Sequence, residues 1–253
     1  MGEPKCAKDY FDLQDHLKRL DNYGLLYTIK EEVNKDKHLH PFVRWSYVSN
    51  IDASNRKGFY FTNVTDSNGR KYQGDCDVCV ATTAGNDKIY AVALGLDNDI
   101  DVTQPEIDAK KLRVLISEKW DQAYKNPIPA VEIDSADAPV HEIVITGDDL
   151  KGGDGKGLAG LPIPNNTPGF DTAPYFSAGL WVTVDPDTGR YNYSQNRVNV
   201  KASDRLAAMW LIQTGGDAHK NWQKYRERKE KMPVALIVGA PPVIQVIGPQ
   251  KTP

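Results

Sequence analysis

The sequence predicts an α+β fold in two parts, an N-terminal α/β domain over residues 1–125 and a β-rich domain over residues 126–253. Three observations predict it. Helical and strand patterns alternate up to about residue 125. Beyond that point short β-type runs recur between Pro and Gly clusters, the spacing of a small barrel or sandwich. The length, 253 residues with 40% hydrophobic content, suits one large domain or two modest ones.

In the first part, Tyr10, Leu13, Leu17 and Leu20 fall at helical spacing, with Asp9 as a cap and Gly24 as a stop. Leu25–Ile29 reads as a strand and Pro41–Tyr47 as a second helix. Gly58–Val64 and Val78–Thr82 read as strands because β-branched and aromatic residues concentrate there. Thr103 and Pro105 mark a helix start, Ile107, Leu112, Leu115 and Trp120 give that helix an apolar side, and Asn126-Pro127 ends it.

In the second part, Ala130–Ile133, Glu142–Thr146, Leu180–Val184 and Tyr191–Val200 are strand candidates. Asp185-Pro186-Asp187-Thr188-Gly189 is a turn, since Pro presets one φ and Gly supplies a positive one. A charged helix over Ala218–Lys231 leads into Pro233–Gly239, an apolar run that reads as a strand buried on both faces. Such a strand needs neighbours, so an obligate partner or oligomer is expected.

Charge and composition exclude some functions. With 31 basic and 34 acidic side chains the net charge is -3, and no basic face accumulates for nucleic acid. No apolar run approaches the ~20 residues of a membrane span, and the first ten residues lack a signal-peptide core, so a cytoplasmic location is expected. The pair Cys76-x-x-Cys79 is one half of a zinc pattern at most. Val78-Cys79-Val80 reads as a strand carrying a small buried hydrophobe, with a redox dithiol as the other reading. Gly152-Gly153-Asp154-Gly155-Lys156-Gly157 is not a P-loop, because Gly follows the Lys and Pro162 and Pro164 stand where a helix would begin.

The chemistry concentrates in Asn192–Val200. On a regular strand Asn192, Ser194 and Asn196 share one face and Gln195 and Arg197 the other. That set offers oxygen ligands for a hard cation, hydrogen bonds for a phosphate and one guanidinium; a solvated edge strand is the plainer reading. Met209-Trp210-Leu211 can pack a flat ring system, and Thr214-Gly215-Gly216 can present backbone N–H groups to an anion.

Leu161-Pro162-Ile163-Pro164, Pro168-Gly169, Asp171, Pro174-Tyr175, Ala178-Gly179, Val182-Thr183, Asp185-Pro186, Thr188-Gly189, Asn192 and Arg197 follow the order seen in UbiD-like decarboxylases. The resemblance extends through Asp204-Arg205-Leu206, Met209-Trp210 and Pro233-Val234-Ala235 to Gly239, and begins early, in Asp12–Leu20 and Gly24–Leu26. It implies a split β-barrel that binds prenylated FMN, after the N-terminal α/β domain. It also implies a carboxy-lyase, acting as decarboxylase or carboxylase on an aromatic or α,β-unsaturated acid with CO₂ as the other species.

By the same resemblance Asn192 is a metal ligand for Mn²⁺, with K⁺ as a companion ion. Ser194, Gln195, Asn196, Arg197, Met209, Trp210, Leu211, Thr214 and Gly215, together with Asn192, contact the cofactor. Arg197 is the catalytic Arg of an Arg-Glu-Glu network. Gln195 stands where the family has Ile or a similar residue, and Thr214 where some members have Arg. The sequence ends before the family's metal-ligand Glu and two catalytic Glu residues, so the resemblance implies either one subunit of a split enzyme, with a second subunit that carries the C-terminal half, or a portion of a longer enzyme. The alternative is a non-catalytic flavin-binding or structural subunit of a larger complex.

Overall fold

The computed structural model describes residues 12–72, 76–151, 155–210 and 216–250. Helix α1 (Leu13–Asn22) starts at Asp12, whose carboxylate accepts the Asp15 N–H at 2.9 Å. Asp9, the cap expected from sequence, lies outside the described residues. Gly24, at φ +65°, ends the helix: its N–H bonds Asp21, and the next N–H, of Leu25, reaches back to Leu20.

The chain then forms β1 (Leu26–Ile29), β2 (Val33–Asn34), α2 (Leu39–Val48), β3 (Gly58–Phe61), β4 (Val64–Thr65), β5 (Lys71–Tyr72) and β6 (Val78–Val80). Helices α3 (Asp87–Ala93) and α4 (Ala109–Lys125) follow. Helix α3, unread in the sequence, is capped by Asn86, whose side chain accepts the Ile89 N–H. Helix α4 begins at Asp108 rather than at Thr103. The backbone and hydroxyl of Thr103 are taken up by Asp101 in a local turn, while Asp108 accepts the Lys110 and Lys111 N–H groups.

Two three-stranded sheets, β1-β3-β6 and β2-β4-β5, each combine a parallel and an antiparallel pairing. They carry two apolar clusters. Leu17, Leu20, Leu26, Ile89, Val92 and Leu112 form one, and Leu39, Val43, Phe59, Phe61 and Val64 the other. Cys79 packs against the first and Cys76 against the second, so the two thiols point into different cores. Burial pushes the Cys79 thiol up, which favours the inert, hydrophobe-like reading.

The second part forms β7 (Tyr175–Phe176), β8 (Leu180–Val184), β9 (Tyr191–Gln195), β10 (Val198–Ala202), β11 (Arg205–Ala208), α5 (Asp217–Glu227), β12 (Val234–Ile237) and α6 (Pro242–Ile247). Its sheets are β11-β10-β7 and β12-β8-β9, all antiparallel. Among the described residues they do not close into a barrel. The fold is α+β as expected, but the expected Tyr191–Val200 strand is broken at Asn196-Arg197, where the chain leaves one sheet for the other.

Two further expectations change. Ala130–Ile133 and Glu142–Thr146 form no strand: among the described residues neither run pairs with another to make a ladder. Strand β12 is not buried on both faces: it is an edge strand paired with β8 alone, and Val234 is 47% exposed. The Gly-rich segment gives a 3₁₀ turn at Gly157–Gly160 and no helix behind a loop, with residues 152–154 outside the described set. No helix among the described residues is long and apolar enough to cross a membrane.

Candidate functional site

Strand β9 sits in register with β8, and the pairing decides which side chains meet. Asn192 lies opposite Thr183 and Ser194 opposite Trp181, so these four share one face of the sheet. Thr183 and Trp181 are buried, whereas Tyr191 and Tyr193 on the other face are exposed. Gln195 pairs with Leu180 and by strand alternation projects away from Asn192 and Ser194.

Helix α5 covers the inner face. The buried Asn221 donates from Nδ2 to Thr183 Oγ1 at 3.1 Å, and Asn192 Nδ2 approaches the same hydroxyl at 3.4 Å. The helix is tied to the β8–β9 turn by charge. Lys224 Nζ lies 2.7 Å from Asp185 and 2.9 Å from Asp187, and Arg228 also pairs with Asp187. The Lys224 ammonium bonded to Asp185 holds that carboxyl below its ordinary range, and the two aspartates raise Lys224 in return. Gly189, at φ +71°, closes the turn that the sequence predicts.

Asn196 and Arg197 occupy the crossing between β9 and β10, where the Asn196 N–H donates to Gly179 O at 3.3 Å. A Cβ on Gly179 would stand 2.8 Å from Leu236 of β12 and 3.4 Å from Val198 of β10, so glycine is what lets the two sheets approach there. Arg197 is exposed and directs both Nε and Nη2 at Met209 Sδ, 3.3 Å from each. A thioether is a weak acceptor, and it sits between the two N–H groups that grip a carboxylate as a fork. Among the described residues Arg197 has no carboxylate partner.

Trp210 follows β11 and meets Trp181 edge to face, with ring centroids 5.3 Å apart and planes at 76°. Among the described residues neither buried indole N–H finds an acceptor; Ser194 Oγ is in the same condition, as are both polar atoms of the Asn199 side chain on β10. Leaving such groups buried without partners costs about 1–3 kcal/mol apiece. The structure thus brings Asn192 and Ser194 to one face and couples Arg197 to Met209. Leu211, Thr214 and Gly215 lie outside the described residues. Trp181, Thr183 and Asn221 join the Asn192–Ser194 face and were not singled out in the sequence as site residues. Their signal is tertiary, since nothing in the local pattern says that a helical Asn will reach a strand Thr.

These unpartnered groups suit a planar ring system with carbonyl and ring-nitrogen acceptors, as a flavin has, with an anionic group at the Arg197 fork. They do not make up a metal site. Among the described residues no group of three His, Cys, Asp or Glu is placed to hold an ion. Asn192 contributes one neutral amide oxygen where a hard divalent ion takes about six oxygen ligands.

The UbiD 3-octaprenyl-4-hydroxybenzoate carboxy-lyase Rift-related domain matches residues 131–253. The chain is UbiD-like. Vanillic acid decarboxylase of Sedimentibacter hydroxybenzoicus in its closed form superposes with a TM-score of 0.75 at 25% identity, covering 96% of this chain and 46% of that one. HmfF of Pelotomaculum thermopropionicum, in an evolved dimeric form in complex with prFMN, matches at 0.69 and 22%, over 92% and 45%. The apo 3,4-dihydroxybenzoic acid decarboxylase of Enterobacter cloacae matches at 0.69 and 21%, over 92% and 43%. This UbiD-like chain therefore spans about half the length of the solved chains it resembles.

Proposed function

We propose that this chain is the flavin-binding portion of a UbiD-like carboxy-lyase acting on an aromatic or α,β-unsaturated carboxylic acid. Its cofactor is prenylated FMN, and a second subunit carries the other half of the active site. The observation that carries this reading is the Arg197 fork resting on the Met209 sulfur, two N–H groups held by a weak acceptor and so open to a carboxylate. The alternative, a non-catalytic flavin-binding or structural subunit, draws on the lack of a carboxylate partner for Arg197 among the described residues.

When bound, prenylated FMN supplies the sink for the electrons released as the C–CO₂ bond breaks. The chain's own residues orient and hold. A substrate carboxylate displaces Met209 Sδ from Nε and Nη2 of Arg197 and gains two charge-assisted hydrogen bonds, which fix the bond that breaks. Trp210, braced by Trp181, offers an aromatic wall and an indole donor, and Ser194 Oγ and Asn199 offer hydrogen bonds to ring acceptors. Asn192, steadied through Thr183 and Asn221, offers one amide oxygen toward a Mn²⁺ or K⁺ ion, and no chemistry assigned to this chain runs through that ion. The proton that replaces CO₂ must come from an acid, and neither Arg197 nor Asn192 gives one up near neutral pH; the second subunit provides it. In the assembly residues 1–125 form the α/β domain and 126–253 contribute to the split barrel, in the cytoplasm.

The test is Arg197→Ala and Arg197→Lys in the complete assembly loaded with prenylated FMN. Loss of a charged bidentate contact is expected to lower turnover about 10- to 100-fold in the Ala variant. Lys restores only part, because it keeps the charge and lacks the fork. Flavin content, read from absorbance, is measured beside turnover, so that lost cofactor is told apart from a lost carboxylate contact. Unchanged turnover in Arg197→Ala overturns the reading.

A further inference from the structure

A cleft of about 960 Å³ lies where the two parts of the chain meet, between the β4–β5 turn and residues of the second part that include Ala159, Asn165 and Ser203. It shares no lining residue with the Asn192–Arg197 face. Among the described residues three cations, Lys35, Arg70 and Lys201, line it against two carboxylates, Asp36 and Asp66. Both carboxylates are already spent. Asp36 takes Lys35 Nζ at 2.6 Å and the Ser67 N–H at 2.9 Å, and the Lys35 side chain is only 7% exposed. Asp66 accepts the Asn68 and Arg70 backbone N–H groups, each at 2.9 Å, and so closes its own turn. The side chains of Arg70 and Lys201 have no carboxylate partner among the described residues.

Arg70 is seated rather than loose. Its guanidinium carbon lies 5.0 Å from the Tyr72 ring centroid, Nη1 donates to Ala159 O at 2.8 Å, and a Cβ on Gly155 would overlap Nη2. The Gly-rich segment, which is no P-loop, therefore makes room for a cation, and the Leu158 N–H holds it to the β10–β11 turn through Ser203 O at 2.8 Å. Each contact of the seat is neutral, so the positive charge is positioned and not cancelled. The Nε and Nη2 groups keep N–H donors without an acceptor among the described residues. These contacts are made inside the chain and do not depend on any surface being left open. A positioned guanidinium with an unspent fork grips an oxyanion. Two uncancelled charges, on Arg70 and Lys201, match the near-double charge of a phosphate monoester at neutral pH. Asn165 Oδ1, buried in the same lining with no partner among the described residues, is an acceptor for a hydroxyl.

We propose that this cleft is an oxyanion site for a small phosphate-bearing molecule, with Arg70 as the bidentate donor and Lys201 as the second charge. The site goes beyond the carboxy-lyase reading and stands apart from it, since neither the Arg197 fork nor the flavin face contributes to the cleft.

The test is calorimetric titration of the protein, as isolated from its own source, with inorganic phosphate and separately with glycerol 3-phosphate. One saturable site per chain is expected. Arg70→Gln, which keeps an N–H for Ala159 O and drops the charge, is expected to weaken binding at least about tenfold. Lys201→Gln changes an exposed side chain and is expected to weaken it about threefold. Tighter binding of glycerol 3-phosphate identifies an organic phosphate as the ligand, and equal binding identifies free phosphate. No saturable binding of either probe overturns the site. So does an affinity unchanged in Arg70→Gln, or unchanged in Lys201→Gln should the first variant not fold, because the anion then sits elsewhere. Flavin content and turnover do not enter this measurement, so failure of the Arg197 chemistry is read separately.

Discussion

Residues 12–125 and 126–250 have comparable lengths and different ways of holding together. The first part closes two apolar clusters, with Leu20, Leu39, Phe61 and Ile89 fully buried. The second buries Leu180 and Val198 at sheet contacts but leaves Ile128, Val140 and Ile143 in solvent, and it relies on polar ties such as Asn221 to Thr183 and Lys224 to Asp185. One part buries its large apolar side chains in closed clusters; the other leaves several of them in solvent and leans on polar ties.

The sharpest way to break this contrast is truncation of apolar side chains in both parts. Leu20→Ala is expected to cost about 2–5 kcal/mol, because a fully buried leucine leaves a cavity. Val140→Ala in the free chain is expected to stay within about 0.5 kcal/mol. Denaturant unfolding measures both, and equal losses would mean that the exposed segment packs on the chain after all.

A smaller effect is expected at the polar tie. Thr183→Val removes the hydroxyl that accepts from Asn221 and Asn192, at a cost of about 1–3 kcal/mol, since Asn221 is left buried without its acceptor. Faster hydrogen exchange in α5 than in α1 would show that the loss stays in the second part. Uniform loss would join the two parts into one cooperative unit.

The smallest expected effect is titration in the first part. His16 donates from Nε2–H to Thr82 O at 2.5 Å, and burial holds its imidazole below the ordinary 6.5 despite the carbonyl contact. The unfolded chain takes up a proton near pH 6.5 and the folded chain only at lower pH, so the stability contributed by neutral His16 is complete above about 6.5 and is lost as pH falls toward the depressed value. His40 is lowered by burial in the same sense, with Asp171 opposing. Between pH 6.5 and 5 unfolding midpoints should fall, and His16→Gln should reduce the slope by at most one proton, about 1.4 kcal/mol per pH unit. A slope unchanged in that variant would remove His16 from the account.

Much of the fold was legible because local physics wrote it. The Leu13–Leu17–Leu20 spacing, the Asp185–Gly189 turn and the Val-Cys-Val strand each carry their own signal, and each is found where the pattern put it. Helix α3 was missed because seven residues leave too little periodicity to read, and the start of α4 was misplaced because Asp101 and Asp108 compete for nearby backbone groups. Of the candidate site, the order Asn192–Ser194–Arg197 was legible and the surroundings were not. Trp181 and Asn221 join it through sheet register and helix packing, which couple residues 13 and 38 positions from Ser194 and Thr183 respectively.

The amino-acid sequence by itself determined the α+β class, the alternating first part, the β-rich second part and the family pattern from Leu161 to Arg197, because periodicity, turn chemistry and residue order are local properties. Tertiary structure alone decided that Arg197 rests on Met209, that Thr183 gathers two asparagines, that β12 is an edge and that 128–146 stands uncovered. Each of those depends on which strands lie side by side, and burial is a property of neighbours rather than of the residue buried.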